Sequence, residues 1–189
     1  QEQIVVVDSS NANDFIAPPE QVAAYANYFK KIAALPHQHT IWLLTHKPIW
    51  FIYDDKKADQ SLQTHFLNAL QTAWMQVEPS KVSLMLSGHL HRFQTINFAN
   101  SLRPPQVIVG DGGTSLDSNM QRQNLSGLKI AELAISQGIS FNRFGFLTLE
   151  KTSRGWQGQV RNPQGKILAN CHFVQGKFIC GSTSQLKTT

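Results

Sequence analysis

Apolar positions in the first half of the chain follow two different spacings. Short β-branched or leucine-rich runs predict buried strands, at Ile4–Asp8, His39–His46 and Val82–Gly88. Between these runs, apolar residues recur at helical spacing and predict two helices, at Gln21–Leu35 (opened by Pro18 and Pro19) and Lys57–Val77. The order β-α-β-α-β favours a mostly parallel sheet covered by helices.

The second half of the chain has shorter apolar runs that are separated by Gly, Pro, Asn and Ser. These runs predict strands, which we expect to be antiparallel, over 93–98, 105–110, 144–152, 155–162 and 166–174. The segment 125–138 fits neither spacing clearly, and we expect a short helix there. We expect one α/β domain over 1–189, with about 140–181 as an antiparallel β extension.

Composition and charge exclude some classes of function. The chain has 189 residues and a net charge of +5, and its basic residues are scattered along the sequence. A nucleic-acid scaffold is not expected, because no basic stripe interleaves with aromatic residues. No apolar run approaches the ~20 residues of a membrane span. The chain starts with Gln1 and shows no signal pattern, so we expect a processed, trimmed or incomplete chain.

The two cysteines, Cys171 and Cys180, flank a tight turn at Val174–Lys177. In a hairpin they would face each other, which favours a disulfide, with two free thiols as the alternative. A disulfide indicates an oxidising compartment, so we expect a periplasmic or secreted protein; a cytoplasmic one is the alternative.

Two histidines follow the third predicted strand, in the stretch LSGHLHR. If the extended path continues beyond Gly88, His89 and His91 point the same way, and the glycine lets the backbone approach that point. Neutral imidazole is the commonest protein ligand for transition metals. This motif alone indicates either a metal site at a strand end or a surface His-x-His loop.

A third histidine, His46, follows the preceding predicted strand. The carboxyl ends of neighbouring parallel strands are where ligand sites usually lie. We therefore expect the imidazoles of His46, His89 and His91 to converge on metal.

The stretches LLTHKPIW and LSGHLHRFQ together resemble the calcineurin-like metallophosphoesterase family, which includes the purple acid phosphatases. The residues His46-Lys47-Pro48 and Gly88–His91 match its T/G-H-x-P and G-H-x-H motifs in order and strand context. The family's D-x-H, G-D-x-x-D and G-N-H-D/E motifs, which precede these, are absent from the sequence. The resemblance implies the C-terminal half of a four-layer αββα sandwich, here β-α-β-α-β followed by antiparallel strands.

The same resemblance implies a hydrolase of phosphate esters that uses two metal ions (Fe, Mn or Zn) and a metal-bound hydroxide. His46 and His89 would bind one ion, and His91 the other. The carboxylates would come from the missing N-terminal half of the domain, and the catalytic acid or base is not identified. The fragment alone is expected to bind metal weakly and to be inactive.

Two further groups are candidates for substrate binding. Lys47 and Tyr53 lie in the loop after His46 and line a substrate pocket or belong to a solvated loop. Gly112 and Gly113 follow the strand at 105–110 and present amides to phosphate or form a tight turn.

Two other functions compete with the binuclear hydrolase. A protein of the same fold without the carboxylate motifs would have a non-catalytic binding or scaffold role. A complete three-histidine site would make a mononuclear zinc hydrolase.

Overall fold

The computed structural model describes residues 2–36, 40–54, 62–63, 68–99, 103–113, 115–117 and 124–182. The first half forms β1 (Glu2–Val7), α1 (Pro19–Ala33), β2 (Thr40–Thr45), the small ribbon β3 (Tyr53–Asp54) and β4 (Leu62–Gln63), α2 (Ala69–Val77) and β5 (Val82–Ser87). The rest forms strands: β6 (Phe93–Phe98), β7 (Gln106–Val109), β8 (Lys129–Ile130), β9 (Leu133–Phe141), β10 (Phe146–Thr152), β11 (Gly155–Arg161), β12 (Ile167–Val174) and β13 (Lys177–Ser182).

The main sheet has seven strands in the order β1-β2-β5-β7-β6-β9-β8. The strands β1, β2, β5 and β7 are parallel, and β6, β9 and β8 continue the sheet by antiparallel pairing. The predicted α/β class and the parallel β-α-β-α-β half are confirmed. The prediction that the strand at 105–110 is antiparallel was incomplete, because β7 pairs in parallel with β5 and antiparallel with β6.

Both helices cover one face of the main sheet and pack against each other. α1 begins at Pro19, as predicted, and buries a stripe at helical spacing: Val22, Tyr25, Ala26, Phe29 and Ile32. The ring of Phe29 meets that of Trp74 of α2 edge to face, at 5.2 Å between centroids. α2 is shorter than predicted, since it begins only at Ala69, where the Asn68 side chain accepts a hydrogen bond from the amide of Gln71. Residues 57–61 and 64–67 of the predicted helix lie outside the described residues, and Leu62–Gln63 between them forms the strand β4 and not a helix.

The prediction of a short helix over 125–138 is wrong, because this segment contains β8 and the first part of β9, which form a hairpin. Its two-residue turn consists of Ala131 and Glu132, both at positive φ (46° and 64°). Such turns usually carry Asn or Gly, which tolerate positive φ. The usual sequence marker of a hairpin is therefore missing here.

The four C-terminal strands form a second, antiparallel sheet in the order β10-β11-β12-β13. It folds back over the face of the main sheet opposite the helices, and the shared core includes Trp42, Leu84, Phe93 and Val107 from one sheet and Val160, Ala169 and Phe178 from the other. The described residues thus form three layers: helices, seven-stranded sheet and four-stranded sheet. The outer face of the second sheet is largely polar, with Thr148, Gln157, Asn170 and His172 among its residues.

The two cysteines are directly opposite each other in the β12–β13 hairpin and form a disulfide. The hairpin turns at Gln175 and Gly176, both at positive φ. The pair is buried in the core between the two sheets. No helix among the described residues is long and apolar enough to cross a membrane.

Replacing both cysteines (Cys171→Ala with Cys180→Ala) is expected to lower the free energy of unfolding by about 2–3 kcal/mol, because the open chain regains entropy when it unfolds. Urea unfolding at neutral pH measures this. In the presence of a reducing agent, the free energy of unfolding of the wild-type protein should equal that of the double variant. Equal stability of the oxidised wild type and the variant would contradict the expectation.

Candidate metal centre

Three neighbouring parallel strands of the main sheet have their carboxyl ends side by side. The residues after β1, β2 and β5 are Asp8, His46 and Gly88, the last followed by His89. The pairing places Thr45 opposite Ser87, and the Gly88 amide donates to the His46 carbonyl at 3.1 Å. The rings of His46 and His89 consequently lie 5.1 Å apart between centroids.

The chain does not continue as a strand after Gly88. His89 has a positive φ of 67°. Two successive three-residue turns follow: the Leu90 amide donates to the Gly88 carbonyl at 2.8 Å, and the Arg92 amide donates to the Leu90 carbonyl at 2.7 Å. The extended path on which the expected common direction of His89 and His91 rested is therefore absent, and their shared direction stays a prediction. His91 lies against Ser115, with Nδ1 3.1 Å from Oγ.

The segment 115–117 holds this part of the loop in two further ways. The amide of Asp117 donates to the carbonyl of His91 at 3.0 Å. The buried Arg92 donates from Nε to the Asp117 carboxylate at 3.1 Å. The position of His91 is thus fixed by a segment far along the chain, which strand spacing alone does not predict.

A carboxylate that the sequence analysis did not select, Asp14, joins the histidine pair. It lies in the loop between β1 and α1, and its Oδ2 is 3.3 Å from His89 Nε2 and 3.0 Å from Lys47 Nζ. A carboxylate behind one imidazole nitrogen is a common arrangement around metal-binding histidines, because it fixes the ring and leaves the other nitrogen for the metal. Its position after the end of β1, at the same sheet edge as the histidines, is the sequence pattern that would have indicated Asp14.

The protonation states suit metal binding. Burial lowers the pKa of His89 below its ordinary value, and the Asp14 carboxylate acts in the opposite direction. Hydrogen bonds from the Ser10 amide and hydroxyl lower the pKa of Asp8, and the nearby His46 adds to this. A neutral imidazole and an ionised carboxylate are the forms that bind cations.

The donor set fits a metal ion only in part. Two imidazoles bound to one tetrahedral ion at about 2.0–2.1 Å have ring centres roughly 5 Å apart, which is the spacing of His46 and His89. However, the described residues contain no group of three or more His, Cys, Asp or Glu side chains arranged to hold a metal. Of the three imidazoles expected to converge, the described contacts bring together those of His46 and His89, with Asp14 beside His89. The participation of His91 stays a prediction.

Two candidates for substrate binding, Lys47 and Tyr53, have structural partners. Lys47 donates from Nζ to the carbonyl of Ala12 and to Asp14, so its ammonium group is engaged in the loop after β1. Tyr53 packs beside the buried cluster that contains Leu90, and its ring centre lies 5.8 Å from the Arg92 guanidinium carbon. Between them the chain is part of the core, since residues 48–52 are buried.

The other two candidates, Gly112 and Gly113, are exposed in the turn after β7. This turn packs on residues 88–92, which we call the histidine loop. The contact is made through Gly110, whose amide donates to the Arg92 carbonyl at 3.2 Å. A Cβ at Gly110 would lie 1.9 Å from the Leu90 carbonyl oxygen, so only glycine fits there. The role of Gly112 and Gly113 in binding phosphate stays a prediction.

Asp111 in the same turn is fully buried, and among the described groups its two carboxylate oxygens have no hydrogen-bond partner. Burial raises its pKa from 3.8 to about 6. The neutral form of this carboxyl group is therefore the major one in the folded protein up to about pH 6.

Comparison with known proteins identifies a related structure. No protein-family model matches the sequence, and neither does a curated protein. Among solved structures, the chain is similar to GAP50, described as the anchor in the inner membrane complex of Plasmodium, with a TM-score of 0.52 and 15% sequence identity over 91% of this chain. The two chains have related folds. The chain spans 49% of the length of that neighbour.

Replacing Gly110 by alanine is expected to lower the free energy of unfolding by about 2–3 kcal/mol, because the new methyl group clashes with the Leu90 backbone. Gly113→Ala is the matched control, since a Cβ there meets nothing within 4 Å; its effect should stay within about 0.5 kcal/mol. Urea unfolding of both variants measures the difference. Equal effects would show that the turn does not pack on the histidine loop as described.

Asp111→Asn is expected to change how stability depends on pH. Since the folded carboxyl has a raised pKa, the unfolded chain ionises first, near pH 3.8, and the folded protein only near about 6. Relative to the variant, the wild type should lose on the order of 2 kcal/mol of unfolding free energy as the pH rises from 4 to 6. Urea unfolding across this range measures it, and a constant difference between the two proteins would contradict it.

Proposed function

We propose that this chain is the C-terminal part of a metallophosphoesterase domain, and that the intact protein hydrolyses phosphate esters at a two-metal site of Fe, Mn or Zn. The observation that carries the proposal is the pair of imidazoles, His46 and His89, at adjacent ends of parallel strands with Asp14 behind one of them. The fold similarity to GAP50, of which this chain spans 49%, supports the idea of an incomplete domain. For the whole domain we propose the four-layer αββα sandwich.

Each residue of the site has a distinct task in this proposal. His46 and His89 bind one metal ion, and Asp14 fixes the ring of His89. Lys47 holds Asp14 in place and offsets its charge. Bound metal ions would act as Lewis acids on the phosphate and lower the pKa of bound water.

His91 belongs to the second ion in this proposal. Ser115 already faces its Nδ1, which leaves Nε2 as the nitrogen open to a ligand. Because imidazoles carry no negative charge, two cations at this edge also require carboxylates from the missing part of the domain. The chain alone therefore binds metal weakly and does not turn over phosphate esters.

A second candidate is a non-catalytic binding role on the same fold. Two observations favour it: GAP50 is described as an anchor, and the described residues hold no three-ligand group. The lone zinc hydrolase has less support, since it requires three histidines around one ion. For either remaining candidate, the disulfide supports a location in the periplasm or outside the cell.

Metal titration tests the imidazole pair directly. Titrating the chain with Co²⁺ and Zn²⁺ should show weak binding, with d–d absorption bands that indicate nitrogen ligands to cobalt. His46→Ala and His89→Ala should each weaken binding about tenfold or more. The exposed His172 of β12 gives the control variant His172→Ala, which should bind like the wild type.

Phosphatase assays then separate the candidates. With p-nitrophenyl phosphate and bis-p-nitrophenyl phosphate, the product of the complete reading frame should show metal-dependent turnover and the 189-residue chain none. Metal binding by the complete product without turnover would favour the non-catalytic role. Two tightly bound ions in the 189-residue chain alone would contradict the proposal.

A further inference from the structure

The two sheets have open edges on the same side of the molecule. β1 ends the main sheet and β10 ends the second sheet, and each is paired on one edge only among the described residues. Glu2 of β1 joins them, since its carboxylate accepts hydrogen bonds from Lys151 Nζ at 2.7 Å and from Trp156 Nε1 at 3.0 Å. The two edges therefore border one opening between the layers, which we call the seam.

The seam is apolar. On β1, Val5 and Val7 pack toward the helices, whereas Ile4 and Val6 are 61% and 71% exposed. Beside them a groove of about 480 Å³ separates the two sheets, with an apolar lining of Val6, Leu44, Leu86, Val109, Leu147 and Leu149. Exposed β-branched residues on a sheet edge invite pairing with another strand.

The opposite edges of the two sheets are formed by β8 and β13. Charge does not distinguish the two sides, since β10 carries Glu150 and Lys151 and β13 begins with Lys177. The seam side is distinguished by the exposed Ile4 and Val6 and by the apolar groove beside them.

The groove also leads to the candidate metal centre. Its lining includes Thr45, His46, Ser87 and Gly88 at the strand ends. A strand that pairs with β1 in parallel would end beside Asp8 and His46. Ligands that follow such a strand would reach the imidazole pair from the side of Asp8.

We propose that the seam is filled by β-strands of the same polypeptide, from the part of the fold that this chain does not span. The inference rests on the proposed function and names the place where the missing part docks. The argument for this occupant is that 91% of the chain accounts for only 49% of GAP50, so a comparable length of polypeptide completes the related fold. These strands extend the main sheet at β1 and place apolar side chains against Leu147 and Leu149.

Hydrogen–deuterium exchange tests the proposal on two proteins, the 189-residue chain and the product of the complete reading frame. In the complete product, amides of Glu2–Val7 and Phe146–Thr152 should exchange at least about tenfold more slowly than in the shorter chain. Amides of Lys177–Ser182, on the far edge, should exchange alike in both. Equal exchange at β1 in both proteins, or a reading frame that adds no polypeptide, would overturn the proposal.

A matched pair of variants gives a second test. Val6 and Val174 are both exposed valines, but Val174 lies away from the seam. Val6→Lys should leave the urea midpoint of the 189-residue chain unchanged and lower that of the complete product, whereas Val174→Lys should change neither. No effect of Val6→Lys on the complete product would overturn the proposal.

Two further outcomes separate this inference from its alternatives. Sedimentation of the 189-residue chain as a dimer, with β1 already protected and Val6→Lys restoring the monomer, would show that a second copy fills the seam and would overturn the proposal. Protection of β1 without any turnover in the complete product would uphold the seam and contradict only the hydrolase. Turnover by the complete product with an unprotected β1 would uphold the hydrolase and overturn the seam proposal.

Discussion

The parallel pairing of β2 with β5 is the constraint on which the candidate site depends. It sets Thr45 opposite Ser87 and lets the Gly88 amide bond the His46 carbonyl, so the two chain segments leave the sheet side by side. Each strand is buried between the helices and the second sheet, and a shift of one residue would move its apolar side chains to the wrong face. The register is therefore fixed by the core, and the spacing of the His46 and His89 rings follows from it.

Beyond the strand ends, close backbone contacts decide where the remaining groups lie. The positive φ of His89 turns the chain away from the strand direction, and Gly110 allows the next turn to lie against the Leu90 carbonyl. Arg92 and Asp117 then hold this loop from a third segment. The contacts of Gly110 with Leu90 and of Asp117 with Arg92 join residues that are distant in sequence. Because of them, the loop after β5 departs from simple strand geometry.

The sequence predicted what local spacing determines. The parallel strands, the start of α1 at Pro19 and the position of the His46 and His89 pair at strand ends all follow from apolar periodicity and strand alternation. It failed where tertiary contacts override local preference: the Ala131–Glu132 turn lacks the usual turn residues, and the position of His91 depends on Ser115. Asp14 was missed because a carboxylate in a turn-rich loop shows no periodicity. Its place in the loop after β1 was the available signal, and the contact with His89 comes from the fold.

The candidate metal centre and the seam lie side by side at β1. The first needs further carboxylates, and the second needs apolar side chains to cover it. A two-cation site, as in the proposed function, would need carboxylates in addition to the imidazole pair, since cations in a buried site require opposite charge. The strand beside it exposes Ile4 and Val6, which have no apolar cover. A polypeptide that pairs with β1 buries the valine and isoleucine, and its strand end lies at Asp8 and His46. Under the proposed function, the element that completes the sheet at β1 would also carry the missing carboxylates to the candidate metal centre.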